Sequence, residues 1–149
     1  MKYSQATPGR VFVIRLEQGD VVHEEIEKLA RAEGITAGYV ILIGGADHGS
    51  RLAVGPENGE DIRPGLPVMF RELDQVHETV GTGTLFPDET GTPILHVHLA
   101  CGRDAATITG CIRSGVVVWR YMEAILHELV ATRARRETDP ETGFKMLVP

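Results

Sequence analysis

His96 and His98 are separated by one residue in a run, residues 94–101, whose composition and alternation read as a β-strand. Side chains two apart on a strand project from the same face. The two imidazoles therefore stand side by side and can ligate one ion, while Val97 and Leu99 point the other way into a core. Cys111 falls on the next short strand, residues 107–112, where it can meet the histidines laterally. Two imidazoles and a thiolate leave one position of a tetrahedral zinc open to water, an anion or a substrate group. This donor set favours zinc over magnesium or calcium. The same residues are also compatible with hydrogen-bonded histidines in a core or subunit contact, and with a cysteine acting as a small buried hydrophobe.

Two weaker constellations accompany this one. In Gly44-Gly45-Ala46-Asp47-His48-Gly49-Ser50, Asp47 can orient His48 as a carboxylate orients a base. A glycine bulge with exposed polar residues is the plainer reading, and the Gly-x-x-x-x-Gly-Lys pattern of a phosphate loop is absent. Glu123 and His127 share a strand face with Ile125. Glu123 can hydrogen-bond a metal-ligating histidine from outside the coordination shell, or it can be a surface or subunit-contact residue. His23 and His77 have no partner in sequence and read as surface residues. Arg133-Ala134-Arg135-Arg136 reads as a solvated basic face able to touch an acidic partner.

The elements that must position these groups follow from pattern. Residues 1–8 form a loose lead-in to a β-rich run, 9–17. Asp20 is placed to cap a helix whose apolar face is Val22, Ile26, Leu29 and Ala30, with Gly34 as its terminator. Glu24–Lys28 and Glu27–Arg31 are spaced for helical ion pairs. Residues 39–43 are apolar throughout, which predicts a strand buried on both faces. Strands are also expected at 51–55, 67–73, 76–86, 94–101 and 107–112, with a loop at 56–66 and a hairpin turn at 87–93. From Val116 the composition favours a strand, yet the apolar spacing of residues 121–136 also fits a helix. A turn at 140–143 precedes a last strand, 144–148. One helix among many strands reads as α+β with a mostly antiparallel sheet.

The 149 residues fit one domain, 1–149, and their 42% hydrophobic and 24% charged content is that of a globular chain. No apolar run approaches the roughly 20 residues needed to cross a bilayer. The first residues hold no apolar segment of the signal-peptide kind, so a cytoplasmic location without membrane partners is expected. There the two cysteines, Cys101 and Cys111, remain thiols. The net charge of −6 opposes non-specific DNA binding.

Taken in order, these features resemble the PPC (plants and prokaryotes conserved) domain family, over roughly residues 9 to 148. The signature residues are Gly19-Asp20 before the helix, the strand into Gly44-Gly45, and His96-Val97-His98. They continue with Gly102-Arg103-Asp104, Gly110-Cys111, Glu123 and Thr142-Gly143-Phe144. The resemblance implies an antiparallel sheet carrying one helix, assembled as a homotrimer, with residues 116–128 in a strand. It further implies a stand-alone, regulatory or DNA-associated module with a divalent metal at His96, His98 and Cys111. Two departures stand out. The family's Gly-Gly-His is Thr109-Gly110-Cys111 here, so a thiol replaces an imidazole. The Arg-Gly-Arg-Pro core of an AT-hook is absent, which removes the usual DNA-binding element. The alternative is a small zinc-dependent hydrolase or lyase working through a metal-bound water.

Overall fold

The computed structural model describes residues 1–60 and 63–149; the expected loop at 56–66 lies partly outside the described residues. The elements are β1 (Thr7–Glu17), α1 (Val22–Glu33), β2 (Gly38–Ala46), β3 (Arg51–Pro56) and β4 (Val68–Glu72). They continue with β5 (His77–Pro87), β6 (Pro93–Arg103), β7 (Ala106–Cys111), β8 (Val118–Val130), β9 (Arg135–Thr138) and β10 (Lys145–Val148). Eight strands form one antiparallel sheet in the order β1-β8-β2-β5-β6-β7-β3-β4, and β9 and β10 pair as a separate hairpin. The α+β class with one helix is thus the observed one. Residues 121–136 contain no helix. β8 runs between β1 and β2 and bonds to both, so its backbone groups are satisfied by neighbours on two sides and helical spacing loses to sheet pairing.

α1 forms where its apolar spacing predicts: Val22, Ile26 and Ala30 are buried, and Gly34 ends the helix in the left-handed conformation at φ 68°. Its start differs from expectation. Asp20 does not cap it; its carboxylate instead accepts the Glu17 N–H at 2.8 Å and closes the turn out of β1. The N-cap residue is Val21, with no side-chain cap, and Glu24 and Glu25 in the first turn face the positive end of the helix dipole. The expected i,i+4 pairs also give way. Lys28 pairs with Glu25 at 3.0 Å, and Glu27 turns to the sheet, where it accepts from Leu95 N and Arg113 Nη1.

The helix covers one face of the sheet. Val40 and Leu42 of β2, Leu95, Val97 and Leu99 of β6, and Met122 and Leu126 of β8 pack with Val22, Ile26 and Ala30 into one core. Each such fully buried aliphatic side chain contributes roughly 1.5–3 kcal/mol. Much of the opposite face, including that of β2, is left exposed in one chain. The apolar run of β2 is therefore not buried on both sides as predicted: Val40 and Leu42 are fully buried, while Ile41 and Ile43 are 47% and 49% exposed. Direct cross-strand partners place Val13, Ile125, Ile41, Thr82, His98 and Cys111 in one outward-facing row across six strands.

The β9–β10 hairpin folds back onto part of that outer face. Ala134 packs with Phe86 and Ala37, and Arg136 reaches Thr84 on β5. A polar clasp ties the hairpin to the β5–β6 turn. Glu89 accepts from Thr138 N at 2.7 Å, and Lys145 Nζ lies 3.0 Å from Asp88 and 2.7 Å from Glu89.

Near Gly44 the β2–β8 register shifts, so the expected glycine bulge is present. Gly44 has φ 142°, and a Cβ there would lie 2.7 Å from both Met122 Cα and Tyr121 O, so no larger residue fits without backbone movement.

The β1–β8 edge carries a pH-sensitive tie. Arg10 donates from Nε and Nη2 to the two Glu128 oxygens at 2.8 and 2.9 Å. These side-chain bonds, then the Arg10 backbone N–H, hold the Glu128 carboxyl down to about 2, from 4.5. The folded pKa is depressed, so the stabilisation is complete above about pH 4.5 and is lost as pH falls toward 2. Urea titrations of wild type and Glu128→Gln should differ at pH 7 and converge at about pH 2; a gap that persists unchanged there would refute the assignment.

Candidate metal centre

The strand pattern of β6 turns Leu95, Val97, Leu99 and Cys101 into the core and leaves His96 and His98 outward. On β7, Cys111 lies directly opposite His98, on the same face. The result is a compact donor set: one ligand atom from each of His96, His98 and Cys111 falls within 4.8 Å of the others. The two Nε2 atoms are 3.2 Å apart, with the rings at 78°. Two nitrogens bound to one zinc at 2.0–2.1 Å in tetrahedral geometry are about 3.3 Å apart. The imidazole pair thus already has the spacing of two ligands of one ion, and the residues present fit the metal.

The surroundings of His96 favour its neutral, ligating form. Desolvation, followed by the Arg136 charge, then His98 and Arg113, holds the His96 pKa below the ordinary imidazole range. The two thiols differ. Cys101 is fully buried on the core side, and burial pushes its pKa up to about 11, so it stays a thiol. Cys111 is half-exposed on the donor face.

Two arginines stand beside the triad. Arg113, just past Cys111, donates from Nη1 to Glu27 at 3.0 Å and to Leu95 O at 2.9 Å, so a carboxylate compensates its charge. Arg136 is 4% exposed, donates from Nη2 to Thr84 Oγ1 at 2.9 Å, and leaves Nε without a partner. Burial, then the Arg113 charge, holds its pKa below the usual guanidinium value, while Cys111 pulls the other way. This corrects the expected solvated basic face. Ala134, just before β9, and Arg136 on it point inward, while Arg135 and Glu137 pair outside. The period-2 pattern was present in the sequence but was masked by the run of arginines.

The other candidates lie elsewhere. Glu123 sits on the outer face of β8, three strands from β6, or about 14 Å at ordinary strand spacing, so within one chain it does not touch the histidines. His127 stacks on Tyr39 at 4.6 Å instead. Asp47 and His48 do meet: Asp47 Oδ1 accepts the His48 N–H at 2.9 Å and lies 3.1 Å from Nδ1. The His48 bond, ahead of other causes, holds Asp47 below the usual carboxylate range. The His48 side chain is 76% exposed, and the pair lies beyond the far end of β2, remote from the triad. His77 is buried, with Nδ1 2.8 Å from Gln75 O, and His23 is half-buried; neither is the surface residue expected.

An eight-stranded antiparallel sheet with one helix on its inner face and a His₂Cys donor set on its outer face defines a small protein able to hold a metal. The sequence profile of the Plants and Prokaryotes Conserved (PCC) domain matches residues 3–130, and the chain belongs to that family. Solved structures agree on the fold. A metal-containing protein from Archaeoglobus fulgidus superposes with a TM-score of 0.83 at 21% identity, over 100% of both chains. A PPC protein from Pyrococcus horikoshii gives 0.79 at 18% identity, over 98% of this chain and 99% of that one. A Bacteroides thetaiotaomicron protein provisionally described as DNA-binding gives 0.76 at 15%, over 97% and 98%. Among curated proteins, GlmU bifunctional proteins of two Synechococcus strains are 26% and 28% identical over 91% and 92% of this chain. The chain spans about a fifth of their length. Among the described residues, no helix is long and apolar enough to cross a membrane.

Proposed function

We propose that this chain is a metal-binding module of the family, holding one zinc ion per chain at His96, His98 and Cys111 and acting in regulation rather than catalysis. The convergence of the three donor atoms within 4.8 Å carries this reading. A solved relative described as metal-containing supports it. Among the described residues no carboxylate joins the donor set, and Glu27, which pairs with the neighbouring Arg113, is engaged by it and by Leu95 N. The zinc-dependent hydrolase or lyase therefore remains the second reading, favoured only by the fourth coordination position that three protein ligands leave open. DNA association has the Bacteroides relative in its favour and the net charge of −6 against it. The module works as a homotrimer in the cytoplasm, where Cys111 stays reduced. The uncovered apolar row Val13–Ile125–Ile41 is the surface the copies share, and it ends at His98 and Cys111.

The test is thiol chemistry read against metal content. Metal-free protein without a histidine tag should present one fast-reacting thiol per chain, Cys111, while Cys101 reacts only on unfolding. One equivalent of zinc should suppress that reaction at least tenfold, about 1.4 kcal/mol of protection. A fast thiol indifferent to zinc would remove Cys111 from the site.

A further inference from the structure

We infer that the centre also binds a small oxyanion, a carboxylate or phosphoryl group, held between the open metal position and the guanidinium of Arg136. This rests on the metal reading above and names the class of ligand that would join it there.

Arg136 is 96% buried, and its Nε–H has no acceptor. Among the described residues no carboxylate pairs with it. A buried cation without a counter-charge is costly, and a donor left unbonded adds to the cost. The neighbouring arginine shows the contrast, because Glu27 compensates Arg113 at 3.0 Å. The position of Arg136 is not arbitrary. Its Nη2 is bonded to Thr84 Oγ1, and Thr84 is the direct cross-strand partner of His96 on the same outward face. Opposed residues of an antiparallel pair have Cβ atoms about 5 Å apart, so the guanidinium is tethered beside the donor set. The β9–β10 hairpin, clasped by Glu89 and Lys145, holds it there.

The charges point the same way. A divalent ion with one thiolate carries a net positive charge, and Arg136 adds another, while Glu27 cancels Arg113. Arg136 has five N–H donors and Thr84 takes one, so the unpaired Nε–H and a further N–H of the same guanidinium can serve two oxygens of one carboxylate or phosphoryl group. An oxyanion bound there would satisfy the orphaned donor and offset the excess charge in one step.

The experiment uses the full chain loaded with cobalt(II), whose visible absorption reports ligands at the open position. Acetate and inorganic phosphate are titrated in parallel, and the tighter arm identifies the oxyanion class. Wild type should show saturable spectral change. Arg136→Gln should take up cobalt with the same thiolate-to-metal absorption but bind the anion at least about tenfold more weakly, the loss expected for hydrogen bonds to a charged group. Arg136→Lys keeps the charge and loses the fork, and should fall between the two; it serves if the glutamine variant does not fold. Identical anion titrations in wild type and variants, or no response of the cobalt protein to either anion, would overturn the inference while leaving the metal centre intact. Absence of cobalt uptake with thiolate absorption in wild type would overturn the metal reading and this inference with it.

Discussion

His98→Ala is expected to empty the metal centre while leaving the fold in place. His98 is the hub of the donor set: its Nε2 lies 3.2 Å from that of His96, and Cys111 is its direct cross-strand partner. Its side chain projects from the exposed face and contributes nothing to the core beneath, so the backbone signal of the sheet should not change. Four-ligand zinc sites bind with about 10–16 kcal/mol, so one ligand is worth roughly 3 kcal/mol, or two to three powers of ten in affinity. Elemental analysis after dialysis against a weak chelator should give close to one zinc per wild-type chain and almost none in the variant. Zinc should also raise the unfolding temperature of wild type only, because an ion stabilises by binding the folded state. Asp47→Ala, remote from β6, should match wild type in both measurements. Full zinc content in His98→Ala would sink the site.

Ile41→Asp is expected to convert the proposed trimer into monomers. Antiparallel sheets that face water normally alternate apolar and polar residues, with the polar set outside. Here the outward set of β2 is Tyr39, Ile41 and Ile43, flanked by Val13 at 84% and Val80 at 57% exposure. Val13, Ile41, Ile43, Ile125 and Glu123 line a shallow groove of about 370 Å³. Burying an isoleucine side chain between copies is worth roughly 1.5–3 kcal/mol. A carboxylate in its place loses that contribution and must also be desolvated, at a cost of several kcal/mol per ion. Light scattering should fall from three chain masses to one, 16.3 kDa. Glu24→Lys, on the helical side of the sheet, should leave the mass unchanged. A monomeric wild type, or an Ile41→Asp variant that keeps the wild-type mass, would refute the assignment of this face.

Much of this architecture is written in local pattern. The helix over Val22–Glu33 follows from the recurrence of Val22, Ile26 and Ala30 and from Gly34 at its end. The strand carrying His96 and His98 follows from period-2 alternation, which also sets the two imidazoles on one face. The bulge at Gly44 follows from the paired glycines. Elsewhere local pattern was ambiguous or misleading. The 121–136 segment has spacing that fits a helix, and it is β8 and the start of β9 because β1 and β2 offer its backbone two sets of partners. Asp20 has the chemistry of a cap, but its carboxylate is taken by the Glu17 N–H. Glu27 sits at ion-pair spacing from Arg31, yet a half-buried acid facing the sheet gains more from Arg113 and the Leu95 N–H.

By itself the sequence determined the donor types, their common face on β6, the helix and the mostly antiparallel α+β class. These depend on contacts within a few residues along the chain, where periodicity is a direct physical signal. Only the tertiary structure decided that β7 pairs in the register that sets Cys111 against His98, that the outer face of β2 is bare, and that Arg136 is buried beside His96. Those outcomes depend on which strands become neighbours and on where a hairpin 40 residues downstream folds back, and residues so far apart leave no periodic trace of their meeting.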